Sequence, residues 1–95
     1  MGKISYKALG NYLKIKREKA GVSQNKLAFR LGYTSPQFVS NWERGLAAPP
    51  PKALRKLVSV LSISERELLK IIMREQEAFW FAQLFGKKKG LHVRQ

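Results

Sequence analysis

The fold is decided by residues 23–45, which read SQNKLAFRLGYTSPQFVSNWERG. Ser23 is a residue type that caps helix N-termini, and apolar residues follow it at helical spacing as far as Leu31. Gly32 comes next and supplies the positive φ that commonly ends a helix. The first half of the segment therefore predicts a short helix from Gln24 to Leu31.

The second half of the segment predicts another short helix, from Pro36 to Arg44. Ser35 is a suitable N-cap, and proline is favoured at the first helical position. Gly45 ends this helix. The residues that we expect on its buried face are Phe38, Val39 and Trp42. Two short helices joined by a glycine turn form the helix-turn-helix unit.

Helices are predicted on both sides of this unit. Apolar spacing of three and four gives a first helix from about Tyr6 to Ala20, with Gly21 as its stop. Its predicted inner face comprises Leu9, Tyr12, Leu13, Lys16, Arg17 and Ala20. After the unit, the prolines within residues 47–51 form a stiff connector, and a fourth helix starts near Pro51.

The C-terminal third predicts a fifth helix and a tail. Ser64 and Glu67 form a capping-box pattern at the helix start. The apolar residues that follow at helical spacing are Leu68, Leu69, Ile72, Met73 and Phe79. Residues 87–95 contain three consecutive lysines and are interpreted as a basic tail. We predict an all-α fold, a compact bundle of about five helices with a C-terminal helical extension.

Charge is the strongest compositional signal. The 95 residues carry 19 Lys and Arg against 6 Asp and Glu, a net charge of +13. A polyanionic partner is the natural interpretation, because cations that neutralise phosphates release condensed counterions. A solvated basic surface and an anionic membrane surface are the alternatives.

Several functional classes are disfavoured by composition. The chain has no cysteine and one histidine, His92, so disulfides, thiolate metal sites and paired-histidine catalysis have no basis. We expect no cofactor, no metal and no small-molecule ligand, and we do not expect an enzyme. The longest apolar stretch, residues 78–82, is too short to cross a bilayer, and no signal peptide is evident. A cytoplasmic, nucleoid-associated protein is expected.

An ordered set of residues also resembles a known family. The set comprises Gly10, Arg17, Gly21, Ser23-Gln24, Leu27-Ala28, Leu31-Gly32, Ser40-Asn41-Trp42-Glu43-Arg44-Gly45 and Pro49. It resembles the DNA-binding domain of the phage-repressor and Cro (XRE-like) helix-turn-helix proteins, over residues 9–69. The resemblance implies a lambda-repressor-like domain in residues 1–73, with the helix-turn-helix at about 24–44. Residues 74–95 are left as the extension and tail. The turn around residues 33–35 is one residue longer than in the shortest phage versions.

Candidate site residues follow from the outer face of the second short helix and from the resemblance. Gln, Asn and Arg side chains can pair with base edges in the major groove. The predicted base contacts are Gln37, Ser40, Asn41 and Arg44. The predicted phosphate contacts are Gln24, Asn25, Lys26, Thr34 and Ser35, with Gln24 implied by the resemblance. The resemblance also implies a structural ion pair between Arg17 and Glu43.

The aromatic segment FWF at 79–81, followed by Phe85, is not explained by the DNA-binding unit. Three consecutive aromatic residues cannot all face one side of a helix. Phe79, Trp80, Phe81 and Phe85 are therefore predicted to fold back on the domain, to join two copies in a homodimer, or to bind a partner protein. A homodimer is the preferred interpretation, because two recognition helices about 34 Å apart read successive major grooves.

Together these features predict a sequence-specific regulator that binds double-stranded DNA and represses transcription. Repression is implied by the family resemblance. One alternative is an antitoxin that also binds a partner protein through its C-terminal segment. Another is a protein-interaction module that keeps the fold without reading DNA sequence.

Overall fold

Five α-helices make up residues 5–86, the part of the chain that the computed structural model describes, and this part contains no strand. The helices are α1 (Lys7–Lys19), α2 (Gln24–Arg30), α3 (Gln37–Glu43), α4 (Pro51–Val60) and α5 (Glu65–Phe85). The predicted all-α class and the five helices are confirmed. The predicted basic tail, residues 87–95, lies outside the described residues.

Capping hydrogen bonds set the starts of α2 and α5 where the sequence predicted them. The Ser23 hydroxyl accepts the backbone N–H of Lys26 at 3.0 Å. The Ser64 hydroxyl accepts the backbone N–H of Glu67 at 3.2 Å. Each cap satisfies a donor that the helix itself leaves unpaired. The local sequence therefore determines both starts.

The start of α3 differs from the prediction. The helix begins at Gln37, after Pro36, rather than at Pro36 itself. Ser35 still assists, because its hydroxyl accepts the backbone N–H of Gln37 at 3.3 Å. Gly32, with φ +91°, turns the chain between α2 and α3. The helix ends at Glu43, with Arg44 as its C-cap, and so has seven residues.

The core lies between α1, α2, α3 and α4, and the first turn of α5 closes it. Its most deeply buried large side chains are Leu27, Leu57 and Val39. Trp42 is 3% exposed and packs in the same cluster. Ala20, which we placed on the inner face of α1, is exposed. The reason is that α1 ends at Lys19, so Ala20 already belongs to the turn.

The closest helix contact joins α1 to α3 at Gly10. A Cβ atom at this position would overlap the carbonyl oxygen of Trp42 and would lie 2.9 Å from that of Glu43. Only hydrogen on Cα leaves room for the backbone of α3 to approach this closely. Gly10 therefore sets the distance between the two helices.

The long helix α5 packs across α1 through two carboxylates. Glu75 Oε2 accepts the backbone N–H groups of Ala8 at 2.9 Å and Leu9 at 3.3 Å, so a side chain 66 residues or more away caps α1. Tyr12 donates its hydroxyl to Glu67 Oε1 at 2.9 Å. Burial and this hydrogen bond raise the pKa of Tyr12 to about 12. The boundary that we placed between residues 73 and 74 falls inside α5, which is continuous.

We predict that Gly10→Ala destabilises the protein, although alanine is the better helix former by about 1 kcal/mol. The added methyl group meets the backbone of α3, and overpacking of this kind costs about 1–3 kcal/mol. Urea unfolding followed by circular dichroism measures the change in the free energy of unfolding. Asn11→Ala, at the next and exposed position of α1, is the control and should change stability by less than about 0.5 kcal/mol. A stabilised Gly10→Ala variant would contradict the close contact.

Candidate nucleic-acid interface

A buried ion pair fixes α3 against α1. Arg17 Nε donates to Glu43 Oε2 at 2.6 Å and Arg17 Nη2 donates to Glu43 Oε1 at 3.1 Å. The two side chains are 10% and 4% exposed. Arg17 Nη1 donates to the carbonyl oxygen of Val22 at 2.8 Å. The pKa of Arg17 is raised, chiefly by its hydrogen bond to Glu43, so the guanidinium stays charged in the interior.

Gln24 adds α2 to the same cluster. Its side-chain amide donates to Glu43 Oε1 at 2.8 Å. Glu43, on α3, therefore accepts hydrogen bonds from Arg17 on α1 and from Gln24 on α2, and so links the three helices. Gln24 was predicted to contact phosphate, and the structure engages its side-chain amide inside the protein. Its backbone N–H, at the first position of α2, is the group left for that role.

The surface of α2, α3 and α4 is basic because its one acidic residue is hidden. Between residues 23 and 63 the sequence contains only Glu43 as an acid. The Lys and Arg residues in the same span are all exposed: Lys26, Arg30, Arg44, Lys52, Arg55 and Lys56. With no exposed carboxylate to offset them, these cations give this part of the molecule a positive potential that attracts polyanions.

The outer face of α3 carries a polar network. Asn41 Oδ1 accepts from Gln37 Nε2 at 3.0 Å and from Arg44 Nη2 at 3.0 Å. The three side chains lie one turn apart along the helix, and Gln37 and Arg44 are exposed. Gln37 keeps its carbonyl oxygen and one amide hydrogen for a further partner. The network thus holds three of the four predicted base contacts together, and the fourth, Ser40, is half-buried beside them.

Phe38 was wrongly predicted to be buried. Its side chain is 53% exposed, whereas Val39 and Trp42 are buried as expected. Residues 38 and 42 lie on neighbouring rows of the helix, and the core ends between them. The ring of Phe38 packs against Tyr33 at a centroid distance of 4.8 Å and stays open on its other side.

The remaining predicted phosphate contacts surround this face. Asn25 and Lys26 lie in the first turn of α2, and Thr34 and Ser35 lie in the turn before α3. All four are exposed. The structure therefore leaves them available at the start of α2 and in the turn between α2 and α3.

The C-terminal half of α5 carries a second exposed surface, which is apolar. Its predicted aromatic residues are divided: Trp80, Phe81 and Phe85 are 53%, 42% and 64% exposed, and Phe79 is half-buried. The exposed apolar residues also form a longer row along the helix, which was not predicted. We name this row the α5 stripe; it consists of Leu69, Met73, Trp80 and Leu84, which are 58%, 57%, 53% and 66% exposed. The spacing of four, seven and four residues was the signal that could have revealed it.

Residues 5–86 contain neither a cluster of metal ligands nor a membrane-spanning helix. No group of three His, Asp or Glu side chains is close enough to hold a metal ion there. No helix in the same range is long and apolar enough to cross a membrane.

Comparison with known proteins identifies the family. The family model described as helix-turn-helix matches residues 13–68, more than half of the chain. The chain belongs to the helix-turn-helix family. The matched region runs from the middle of α1 to the first turn of α5 and contains the whole face described above. It is the XRE-like family that the sequence motifs resemble. DNA-binding regulation of transcription is the general activity that this membership supports.

A solved structure shows the same fold as this helix-turn-helix protein. The crystal structure of the clp gene regulator ClgR from Corynebacterium glutamicum aligns with a TM-score of 0.62 at 23% sequence identity. The alignment covers 86% of this chain and 95% of that one. No curated protein sequence matches. The likeness to ClgR therefore establishes the arrangement of the helices.

We predict that Glu43→Gln destabilises the protein by about 3 kcal/mol, because it leaves the buried charge of Arg17 without its partner. Denaturant unfolding of the variant measures the loss. Glu18→Gln is the matched control, because Glu18 lies on the exposed side of α1 and its removal should cost less than about 0.5 kcal/mol. Equal effects of the two substitutions would show that the ion pair does not hold α3 in place.

Proposed function

We propose that this protein is a sequence-specific regulator of transcription that binds double-stranded DNA with α3 in the major groove and represses the genes that it binds. The observation that carries the proposal is the outer face of α3, where Gln37, Asn41 and Arg44 form one hydrogen-bonded network with no exposed acid nearby. A helix with this surface can enter the major groove without repelling the phosphates on either side.

Gln37 is the proposed reader of an adenine. A glutamine pairs with adenine by accepting from N6 and donating to N7. Gln37 retains one carbonyl oxygen and one amide hydrogen for these two bonds while its other amide hydrogen binds Asn41. In the free protein, Asn41 holds the side chains of Gln37 and Arg44 in place. Both lone pairs of its carbonyl oxygen are occupied in the free protein, so a bidentate base contact requires it to release Gln37 or Arg44.

Arg44 and the surrounding groups complete the proposed interface. Arg44, at the C-terminal end of α3, can donate to guanine or to a phosphate once it leaves Asn41. Asn25, Lys26, Thr34 and Ser35, with the backbone of Gln24, are the proposed phosphate contacts. They set the orientation of the protein on the duplex and carry no sequence information themselves.

A homodimer is part of the proposal, and the α5 stripe is its proposed contact. The stripe extends over about 22 Å, from Leu69 to Leu84, on one side of the helix. Phe81 and Phe85 flank it and would widen the contact. Residues 69–86 carry two basic and two acidic residues, so this part of α5 has no net charge, in contrast to the basic helix-turn-helix unit. The dimer contact would then begin at Leu69, inside the domain that we predicted to end at residue 73, and continue through residues 74–86.

The size of such a dimer supports repression by occlusion of a promoter, the role that the family resemblance implies. The described part of one copy measures 49 by 25 by 21 Å. Two copies bound one helical turn apart would cover roughly 20 base pairs at 3.4 Å each and would exclude other proteins from a promoter. We place its action on the nucleoid, where its proposed DNA partner lies.

Selection of bound sequences from a random DNA pool at about 150 mM salt tests sequence reading, because non-specific attraction is weak at that ionic strength. We expect a palindrome with half-sites about one helical turn apart. Against this site, Gln37→Ala should cost about 1–3 kcal/mol and should have little effect on random DNA. Asn11→Ala removes an exposed amide from α1 and should leave both affinities unchanged. Failure to enrich any sequence would refute the proposed function.

The α5 stripe is tested by sedimentation of the free protein. Met73→Glu places two carboxylates in the proposed contact and should convert the dimer to a monomer. Ser59→Glu adds the same charge to the exposed side of α4, away from α5, and should leave the dimer intact. Sedimentation of the unaltered protein as a monomer, or an equal effect of both variants, would refute the dimer without affecting the role of α3.

A further inference from the structure

Phe38 is a large apolar side chain that the core leaves half exposed. It lies in the first turn of α3, directly after Gln37. The exposed half of this ring lies on a surface otherwise made of Gln, Asn and Arg, and its burial against an apolar group of a partner would be favourable.

The ring is held in place on its inner side. Tyr33 packs against it at a centroid distance of 4.8 Å, and Trp42, itself 3% exposed, lies 6.5 Å away. Tyr33 also packs edge-on against Trp42 at 5.7 Å. The three rings form a cluster that is anchored in the core and open at Phe38. Phe38 therefore presents a fixed apolar surface.

The position of Phe38 places this surface beside the polar network. At about 100° per residue, Phe38 lies roughly 60° around α3 from Asn41 and roughly 100° from Gln37. It also lies in the N-terminal half of α3, the part of a recognition helix that contacts base edges. A helix docked by Gln37 and Asn41 therefore brings the ring of Phe38 to the wall of the same groove.

We propose that Phe38 reads a thymine by packing against its C5 methyl group. This methyl group is the apolar feature that base pairs present in the major groove, and phenylalanine is among the side chains that contact it. The inference rests on the proposed function. It adds a specificity-determining residue that lies outside the polar set, and it places a thymine close to the adenine read by Gln37.

The test uses the selected DNA site and removes single methyl groups. Each thymine is replaced in turn by deoxyuridine, which lacks only the C5 methyl group, and the dissociation constant is measured for each site. For the unaltered protein we expect one thymine in each half-site whose replacement weakens binding about fourfold, the factor that corresponds to burial of one methyl group. For Phe38→Ala we expect the same replacement to have no effect.

Two further variants sharpen the comparison. Phe38→Leu keeps an apolar surface and the packing on Tyr33, and it should retain at least a twofold effect of the methyl group. Phe29→Ala removes an exposed phenylalanine from α2, the helix that crosses the backbone in this type of docking, and should behave as the unaltered protein does. Circular dichroism checks that each variant is folded before binding is measured.

The outcomes separate this inference from the proposed function. A selected site at which every deoxyuridine is neutral, or at which Phe38→Ala and Phe38→Leu respond to it as the unaltered protein does, overturns the role of Phe38 and leaves sequence reading intact. Failure to select any sequence overturns both. A methyl effect that disappears in Phe29→Ala instead would assign the contact to α2 and overturn the inference.

Discussion

The buried bond between Arg17 and Glu43 is the interaction on which the rest of the structure depends. It joins the end of α1 to the end of α3, and Gln24 adds the start of α2 to the same carboxylate. Two charges removed from water are tolerable only when they are paired and further hydrogen bonded, and here they are. The bond fixes the orientation of α3 and withdraws the one acid of residues 23–63 from the surface. The basic, acid-free face follows from that withdrawal.

The side chains of α3 form three rows: one buried, one exposed and one at the boundary between them. Val39 and Trp42 hold the helix to the core, whereas Gln37 and Arg44 are exposed on the outer side. Phe38 lies on the boundary, with one side of its ring packed and the other open. A helix of seven residues has little stability of its own, so the shape of the proposed recognition surface depends on this packing. That surface is fixed where it meets the core, and its polar side chains extend away from the core.

The helix α5 has two faces of different character. Its inner face supplies Leu68 to the core and Glu75 to the start of α1. Its outer face carries the α5 stripe and is less basic than the helix-turn-helix unit. The α5 stripe therefore belongs to a different element from the basic surface of α2, α3 and α4, so the proposed dimer contact and the proposed DNA contact use separate side chains.

Local interactions made part of this protein predictable from its sequence. The caps at Ser23 and Ser64 and the spacing of apolar residues act within one or two turns, so the helices were foreseen to within a residue or two. The exposure of Phe38 was not foreseen, because helical spacing shows which residues share a side of the helix and does not show where the core ends. The capping of α1 by Glu75 was not foreseen, because the two are more than 60 residues apart in the sequence. Only the docking of helices, set by Gly10 and by the Arg17–Glu43 pair, decides such contacts, since they depend on distances in space that no local pattern encodes.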